Sequence, residues 1–165
     1  MIRPAEPRDE PGIRAVHIAA FPTPAEADLV ERLAADRDAV ISVVEERQSE
    51  VVGHVMLSRM RVEGDGRHFR ALGLGPVAVA PPWQRSGIGS ALIEGALGIA
   101  TALGEELVFV LGEPEYYQRF GLSAATAAPF ASPYAGPFLM ALALREGFAL
   151  PASGKADYAP AFGGL

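Results

Sequence analysis

Two glycines at the start of a predicted helix indicate an anion-binding turn. Gln84, Gly87 and Gly89 follow an apolar run that is typical of a buried strand and ends in a double proline. The first N–H groups of a helix have no intrahelical partner, and the helix dipole is positive at that end. Because Gly87 and Gly89 have no Cβ atom, a phosphate can approach the backbone closely. The helix is predicted from apolar residues at steps of three or four, namely Ile88, Leu92, Ala96, Ile99 and Leu103.

The glycine spacing excludes two common phosphate-binding turns. A Rossmann turn requires Gly-x-Gly-x-x-Gly, and a P-loop requires a second glycine followed by Lys and by Ser or Thr. Neither pattern is present, and Lys155 is the only lysine of the chain. The turn therefore binds the phosphate of a ligand through neither a Rossmann turn nor a P-loop, or it is a strand-to-helix connection without a ligand.

A second group of candidate residues follows the predicted strand Leu107–Leu111. Pro114 suits the first position of a short helix, and Gly121 suits its left-handed C-terminal end. Tyr117 stands between them. Its phenol, with an ordinary pKa of about 10, carries a proton at neutral pH and could donate it as a general acid. The alternative is that Tyr117 only fills space, a role that we expect for its neighbour Tyr116.

Both segments resemble the GNAT acyltransferase superfamily. Val77-x-Val79 followed by Gln84-x-x-Gly87-x-Gly89 resembles the acetyl-CoA-binding motif of that family. In the second segment, Tyr117 stands four residues before Gly121, and this spacing resembles another GNAT motif.

The amino-acid sequence of the second segment is similar to that of a bacterial subgroup, the YhbS-like predicted acetyltransferases. It reads Val-Leu-Gly-x-Pro-x-Tyr-Tyr-x-Arg-Phe-Gly over residues 110–121. The resemblance extends from Ile2 to about Leu144, and residues 158–162 also resemble the subgroup.

The resemblance implies acetyl-CoA as the co-substrate and suggests where it binds. The turn would hold the pyrophosphate through backbone N–H groups, and the preceding strand would pair with pantetheine. The implied residues are Val77, Ala78, Val79, Gln84, Arg85, Ser86, Gly87, Ile88, Gly89 and Ser90. Arg85 stands where the family often has glycine, and its side chain either reaches a phosphate or remains in solvent. Tyr117 would protonate the leaving thiolate.

The resemblance does not assign a general base. GNAT enzymes often have a glutamate on the strand before the turn, but residues 72–79 contain no acidic residue. The candidates are Glu26, Asp28, His54, Glu113 and Glu115, and a water relay is an alternative. His54 has a suitable ordinary pKa of about 6.5, but a lone histidine in an apolar strand is more often structural. His17 and His68 show no partner pattern, and we expect no metal site.

The order of predicted elements indicates an α+β fold with α/β/α layers, in which a mixed central sheet has helices on both faces. Asp9 is predicted to cap the first helix. Residues 123–137 are expected to form a loop, and the last fifteen residues to pack irregularly. In the GNAT fold the two central parallel strands splay apart, and here they would be residues 72–79 and 107–111. Gly73, Gly75 and Pro76 would permit a bulge.

The composition limits the other classes of function. A chain of 165 residues suits one domain, residues 1–165. The net charge of −6 disfavours nucleic acid and mildly favours a cationic substrate. The chain has no cysteine, which excludes a cysteine nucleophile. Because it shows neither a signal-peptide pattern nor an apolar run of membrane-spanning length, we expect a cytoplasmic protein without a membrane partner.

The sequence therefore predicts an acetyl-CoA-dependent N-acetyltransferase that acts by direct transfer in a ternary complex. The acceptor would be a small-molecule or peptide amine, and the protein a monomer or homodimer. The first alternative is a non-catalytic acyl-CoA-binding regulatory module on the same fold. A plain interaction or structural domain is the second.

Overall fold

The computed structural model describes residues 1–164 and shows one mixed sheet with helices on both faces. The strands are β1 (Ile2–Pro4), β2 (Ala39–Arg47), β3 (Glu50–Gly64), β4 (Arg67–Val79), β5 (Leu107–Leu111), β6 (Phe130–Ala131), β7 (Leu139–Ala143) and β8 (Gly154–Asp157). The α-helices are α1 (Glu10–Ala20), α2 (Ala25–Ala35), α3 (Ile88–Ala102), α4 (Pro114–Tyr117) and α5 (Ala124–Ala127). Four 3-10 helices cover Pro7–Asp9, Pro81–Trp83, Gln118–Phe120 and Pro160–Gly164. None of the described helices is long and apolar enough to cross a membrane.

The strand order is β1-β2-β3-β4-β5-β7, and only the β4–β5 pair on this path is parallel. The predicted α+β architecture is thus confirmed. Hairpins connect β2 to β3 and β3 to β4, whereas α3 crosses over between the parallel strands β4 and β5. This crossover places the N-terminus of α3 at the carboxyl end of β4.

The two central strands separate soon after they pair. β4 contacts β5 only through Ala71, Leu72 and Gly73, although β4 continues to Val79. The register of β4 against β3 shifts where Gly75 and Pro76 oppose one residue, Met56, which is the bulge that the sequence allowed. The expected splay is therefore present, and it opens a gap between the ends of β4 and β5.

Alternate residues of the sheet point to opposite faces and pack into different core clusters. On one face, α3 covers a core that includes Val55, Leu72 and Val108. On the other face, α1 and α2 cover a core that includes Val44 and Met56. The gap is thus bordered by α3 on one side of the sheet and by α1 and α2 on the other.

The C-terminal third is more regular than the sequence predicted. Residues 123–137 contain α5 and β6, and the last fifteen residues contain β8. β8 pairs with residues 61–64 of β3, a part of that strand to which the shorter β2 does not extend. The backbone groups of β3 that β2 leaves free there pair with β8 instead. Because the pairing joins residues that are far apart in the chain, the sequence of this segment of small residues shows no local strand pattern.

Asp9 stands at the predicted N-cap position of α1, but its side chain serves a different contact. Asp9 lies at the end of a 3-10 turn and is buried, and its side chain makes no cap hydrogen bond to α1. It accepts instead from the backbone N–H of Glu6, at 2.7 Å, and from both terminal nitrogens of Arg3, at 2.7 and 2.9 Å. This bidentate ion pair lowers the pKa of Asp9 to about 2 and ties β1 to the start of α1.

Candidate active site

The gap between β4 and β5 exposes backbone groups of β4 that do not pair with β5. The N–H of Ala80 donates to the carbonyl of Val52 at 2.8 Å, which directs the backbone of residue 80 towards β3. Because backbone groups of a strand alternate in direction, those of Val77 and Val79 face the gap. The Gln84 side chain confirms this direction for Val79, since its Nε2 donates to the Val79 carbonyl at 2.9 Å. The backbone of Ala78 faces β3.

The predicted glycine turn lies at the open end of this gap. Arg85 has φ of 62° and Gly87 has φ of 86°, so both adopt the left-handed conformation, and α3 begins at Ile88. Gly87 is the N-cap and provides no side chain for the free N–H groups of the first turn. Residues 84–87 are exposed, and the Ser86 hydroxyl donates to the carbonyl of Trp83 within the turn. The turn thus presents backbone N–H groups to solvent at the positive end of a 15-residue helix.

The second predicted segment contacts the first. A Cβ atom built on Gly89 would lie 3.1 Å from the hydroxyl oxygen of Tyr116. Ser90 Oγ accepts a hydrogen bond of 3.2 Å from Arg119, whose guanidinium carbon stands 4.4 Å from the ring centre of Tyr116. The start of α3, α4 and the 3-10 helix that follows α4 therefore form one surface.

Arg119 is a site residue that the sequence interpretation did not identify. It forms no ion pair within residues 1–164, so its positive charge is uncompensated beside the start of α3. The sequence could have predicted that Arg119 lies beside Tyr116, because residues three apart on a helical segment share a face. Arg85, for which the sequence left open a phosphate contact or a position in solvent, is exposed on the turn.

Tyr117 lies against the end of β5. A Cβ atom at Gly112 would approach Cε2 of Tyr117 to 2.5 Å, so the ring covers the backbone of Gly112. The rings of Tyr116 and Tyr117 meet edge to face, with centroids 5.0 Å apart. Burial, and secondly the neighbouring phenol of Tyr116, raise the pKa of Tyr117 to about 12. Tyr117 is therefore protonated at neutral pH, as a general acid must be.

Tyr158 is a second aromatic residue beside the gap. From the sequence, it was notable only as part of residues 158–162, which resemble the YhbS-like subgroup. A Cβ atom on Gly73 would lie 2.6 Å from Cε1 of Tyr158, which places the tyrosine ring directly over Gly73. Gly73 pairs with Phe109 in the final pair of the β4–β5 ladder. Tyr158 thus lies where the two strands begin to separate.

The histidine candidate for the general base belongs to a buried polar chain. His54 Nδ1 and His17 Nε2 are 2.8 Å apart, and His54 Nε2 is 2.8 Å from Ser42 Oγ. Neither ring has exposed surface. Burial lowers the pKa of His17 to about 4, and burial together with repulsion from His17 lowers that of His54 to about 3. Such weak and inaccessible bases favour a structural role, and His17 has the partner that the sequence did not reveal.

The acidic candidates differ in their surroundings. Asp28 is exposed and accepts a hydrogen bond from Arg14 at 3.0 Å. Glu113 and Glu115 are exposed at the start of α4. Glu26 is half-buried at the start of α2, and its Oε1 is buried without a hydrogen-bond partner. Among residues 1–164 there is no cluster of three or more His, Cys, Asp or Glu side chains that could hold a metal ion.

Comparison with known proteins agrees with this arrangement. The family model described as the acetyltransferase (GNAT) domain matches residues 1–125. The uncharacterized N-acetyltransferase YjhQ of Escherichia coli K12 is 33% identical over 132 residues, which cover 78% of this chain and 73% of YjhQ. The crystal structure of E. coli YhbS in complex with CoA has a TM-score of 0.86 at 27% identity, and covers 99% of this chain and 91% of that one. A GNAT acetyltransferase of Brucella melitensis in complex with acetyl-CoA has a TM-score of 0.80 at 30% identity, and covers 98% and 97% of the two chains.

Proposed function

This chain belongs to the GNAT acetyltransferase family, and we propose that it transfers an acetyl group from acetyl-CoA to a primary amine within a ternary complex. The observation that carries the proposal is the position of the β4–β5 gap. Backbone groups of β4 that do not pair with β5 face it, and at its open end the uncapped N-terminus of α3 follows a glycine turn. Two relatives with this fold were crystallised with CoA and with acetyl-CoA, respectively.

The turn and its neighbours would bind the phosphates of the coenzyme. Backbone N–H groups of residues 84–90 would hold the pyrophosphate, because Gly87 and Gly89 leave room for close approach. Arg119 would add a positive charge from the opposite side of the site, and Ser90 Oγ, which it already contacts, would add a hydroxyl. Local positive charge of this kind is compatible with a chain whose net charge is −6.

The strand β4 would hold the arm that carries the thioester. Pantetheine contains amide groups, and the gap-facing backbone groups of Val77 and Val79 can pair with them as an added strand would. A gap-facing N–H can also donate to the thioester oxygen as negative charge develops there. Ala78 would belong to this coenzyme-binding segment only as the residue that joins the two valines, because its own backbone groups face β3.

In the reaction, the amine nitrogen would attack the thioester carbonyl carbon, and the carbon–sulfur bond would break. The amine gives up a proton, and the departing sulfur takes one. Tyr117 is the proposed donor to the sulfur, because its raised pKa keeps the phenol protonated at neutral pH. The chain contains no cysteine that could form an acyl-enzyme, which supports direct transfer.

Glu26 is our candidate for the group that accepts the amine proton. Of the acidic candidates it is the one with a buried, unpartnered carboxylate oxygen, and such an oxygen is available to an incoming ammonium group. Asp28 is occupied by Arg14. The burial and lowered pKa of His54 argue against it. A water relay remains the alternative route for this proton.

The acceptor is proposed as a small-molecule or peptide amine, with the net negative charge favouring a cationic one. We further propose that the whole chain acts as a single domain in the cytoplasm, as a monomer or a homodimer.

The proposal is tested by calorimetry with acetyl-CoA and by incubating the protein with acetyl-CoA and a panel of amines. Release of free thiol that depends on one of the amines is the expected result. Binding without turnover on any amine would instead support a non-catalytic acyl-CoA-binding regulatory module. Absence of acetyl-CoA binding would reduce the chain to an interaction or structural domain.

A further inference from the structure

Tyr158 brings an aromatic ring to the edge of the β4–β5 gap from a distant part of the sequence. Its ring lies over Gly73, the last residue of β4 that pairs with β5. The ring is held by two further aromatic contacts, to Tyr134 with centroids 5.7 Å apart and to Phe162 with centroids 5.0 Å apart. Because three contacts fix the ring, the direction of its hydroxyl is fixed as well.

The hydroxyl oxygen of Tyr158 is buried and has no hydrogen-bond partner within the described residues. Buried polar atoms almost always have partners, because an unpaired one loses its hydrogen bonds to water without replacement. Because the ring of Tyr158 borders the gap at Gly73, a bound ligand can supply the missing partner.

We propose that the Tyr158 hydroxyl donates a hydrogen bond to the carbonyl oxygen of the bound thioester. This inference rests on the proposed acetyltransferase function. The hydroxyl would be a second donor beside a gap-facing N–H of β4, and two donors are a common arrangement around the oxygen that becomes negative during acyl transfer. Tyr158 would then be a catalytic residue, distinct in role from Tyr117, which serves the sulfur.

The surroundings keep this phenol in its donor form. Burial raises the pKa of Tyr158 above its ordinary value, and the nearby phenols of Tyr134 and Tyr117 raise it further. Ionisation would place a negative charge in a buried aromatic cluster. Tyr158 therefore carries its proton throughout the neutral range.

The variant Tyr158→Phe tests the inference, because it keeps the ring over Gly73 and removes only the hydroxyl. Calorimetry with acetyl-CoA and with CoA requires no knowledge of the acceptor. One neutral hydrogen bond corresponds to about three- to tenfold in affinity. We expect the wild type to bind acetyl-CoA more tightly than CoA by about that factor. Tyr158→Phe should lose this preference and bind CoA as before, and it should turn over any accepted amine at least about tenfold more slowly.

Thermal unfolding of the free proteins separates this role from a structural one. Because the hydroxyl has no partner in the free protein, Tyr158→Phe should have an unchanged or higher Tm. Tyr134→Phe is the matched control, since it removes a hydroxyl from the neighbouring ring, and it should keep the wild-type preference for acetyl-CoA.

Three results would overturn the inference. They are a wild type that binds acetyl-CoA and CoA equally, a Tyr158→Phe variant that retains the preference, and a clear loss of Tm in that variant. A wild type that binds neither compound would refute the proposed function itself, and the inference with it.

Discussion

The ring of Tyr117 occupies space that only a glycine at position 112 leaves free. A Cβ atom on Gly112 would stand 2.5 Å from Cε2 and 3.0 Å from Cδ2 of that ring. Real Cβ atoms do not approach other carbon atoms so closely, so the backbone at the end of β5 determines where the phenol lies. The relationship links Gly112, a glycine without a role in the sequence-based expectations, to the residue proposed as the general acid.

Gly112→Ala should therefore impair turnover without removing any reactive group. The added methyl group must displace the ring of Tyr117, and a shift of about 1 Å in a positioned group can lower a rate about 100-fold. We expect kcat to fall at least about tenfold while calorimetry shows little change in acetyl-CoA affinity. Gly98→Ala on α3, where a Cβ atom meets nothing within 4 Å, is the matched control and should keep full turnover.

Tyr117→Phe should lower kcat by about 100-fold or more if proton donation to the sulfur limits the rate. Acetyl-CoA affinity should change little, because the proton matters in the transition state. The raised pKa of about 12 adds a pH test. The phenol remains protonated between pH 8 and pH 10, so this group should cause no alkaline decline of kcat in that range. Full turnover of Tyr117→Phe with chemistry rate-limiting would show that the ring only packs.

Gly89→Val should obstruct the pyrophosphate site. A Cβ atom there already lies 3.1 Å from the Tyr116 hydroxyl, and the two further methyl groups of valine must extend into the turn or displace that tyrosine. We expect acetyl-CoA affinity to weaken at least about tenfold, with the circular dichroism spectrum retained. Gly98→Val introduces the same residue into the same helix at an open position and should bind normally. Equal affinity of the two variants would exclude the turn as the coenzyme site.

Arg119→Gln should weaken acetyl-CoA and CoA equally, because a phosphate contact does not sense the acyl group. For a partly solvated cation we expect a loss of about three- to tenfold, together with a weaker dependence of affinity on salt. Arg32→Gln removes an exposed cation from α2, on the opposite face of the sheet from α3, and should have no effect. If the affinity of Arg119→Gln matches that of the wild type at low salt, the arginine only stabilises the contact between α3 and the 3-10 helix Gln118–Phe120.

The buried histidine pair should make the fold sensitive to mild acid. His17 and His54 stay neutral in the folded protein until about pH 4 and about pH 3, whereas in the unfolded chain they bind protons below about pH 6.5. Between these values the unfolded state binds more protons, so the free energy of unfolding falls as the pH falls. At pH 5 the loss is roughly 2 kcal/mol per histidine.

Urea unfolding at pH 7, 6 and 5 measures this effect. Asp9, with its pKa lowered to about 2, loses its contribution only below about pH 4 and does not interfere. The exposed His68 is the natural control, and His68→Gln should keep the wild-type slope. A free energy of unfolding that is constant from pH 7 to pH 5 would contradict the proposed neutral state of the buried pair.

The sequence by itself determined the parts of this protein that depend on neighbouring residues. The glycine turn before α3, the short helix that ends at Gly121 and the apolar strands β4 and β5 follow from local steric and hydrogen-bonding rules. They predicted an α+β sheet with helices on both faces and an anion-binding turn at Gly87 and Gly89, whereas the splay and the role of Tyr117 were implied by the resemblance to the GNAT family. Tertiary structure alone decided the contacts between distant segments. The pairing of β8 with β3 brings Tyr158 over Gly73, and the packing of the 3-10 helix Gln118–Phe120 against α3 brings Arg119 to Ser90. The packing of α1 on the sheet likewise joins His17 to His54. Such contacts have no local pattern, because the free energy that forms them comes from burying surfaces that are far apart in the chain.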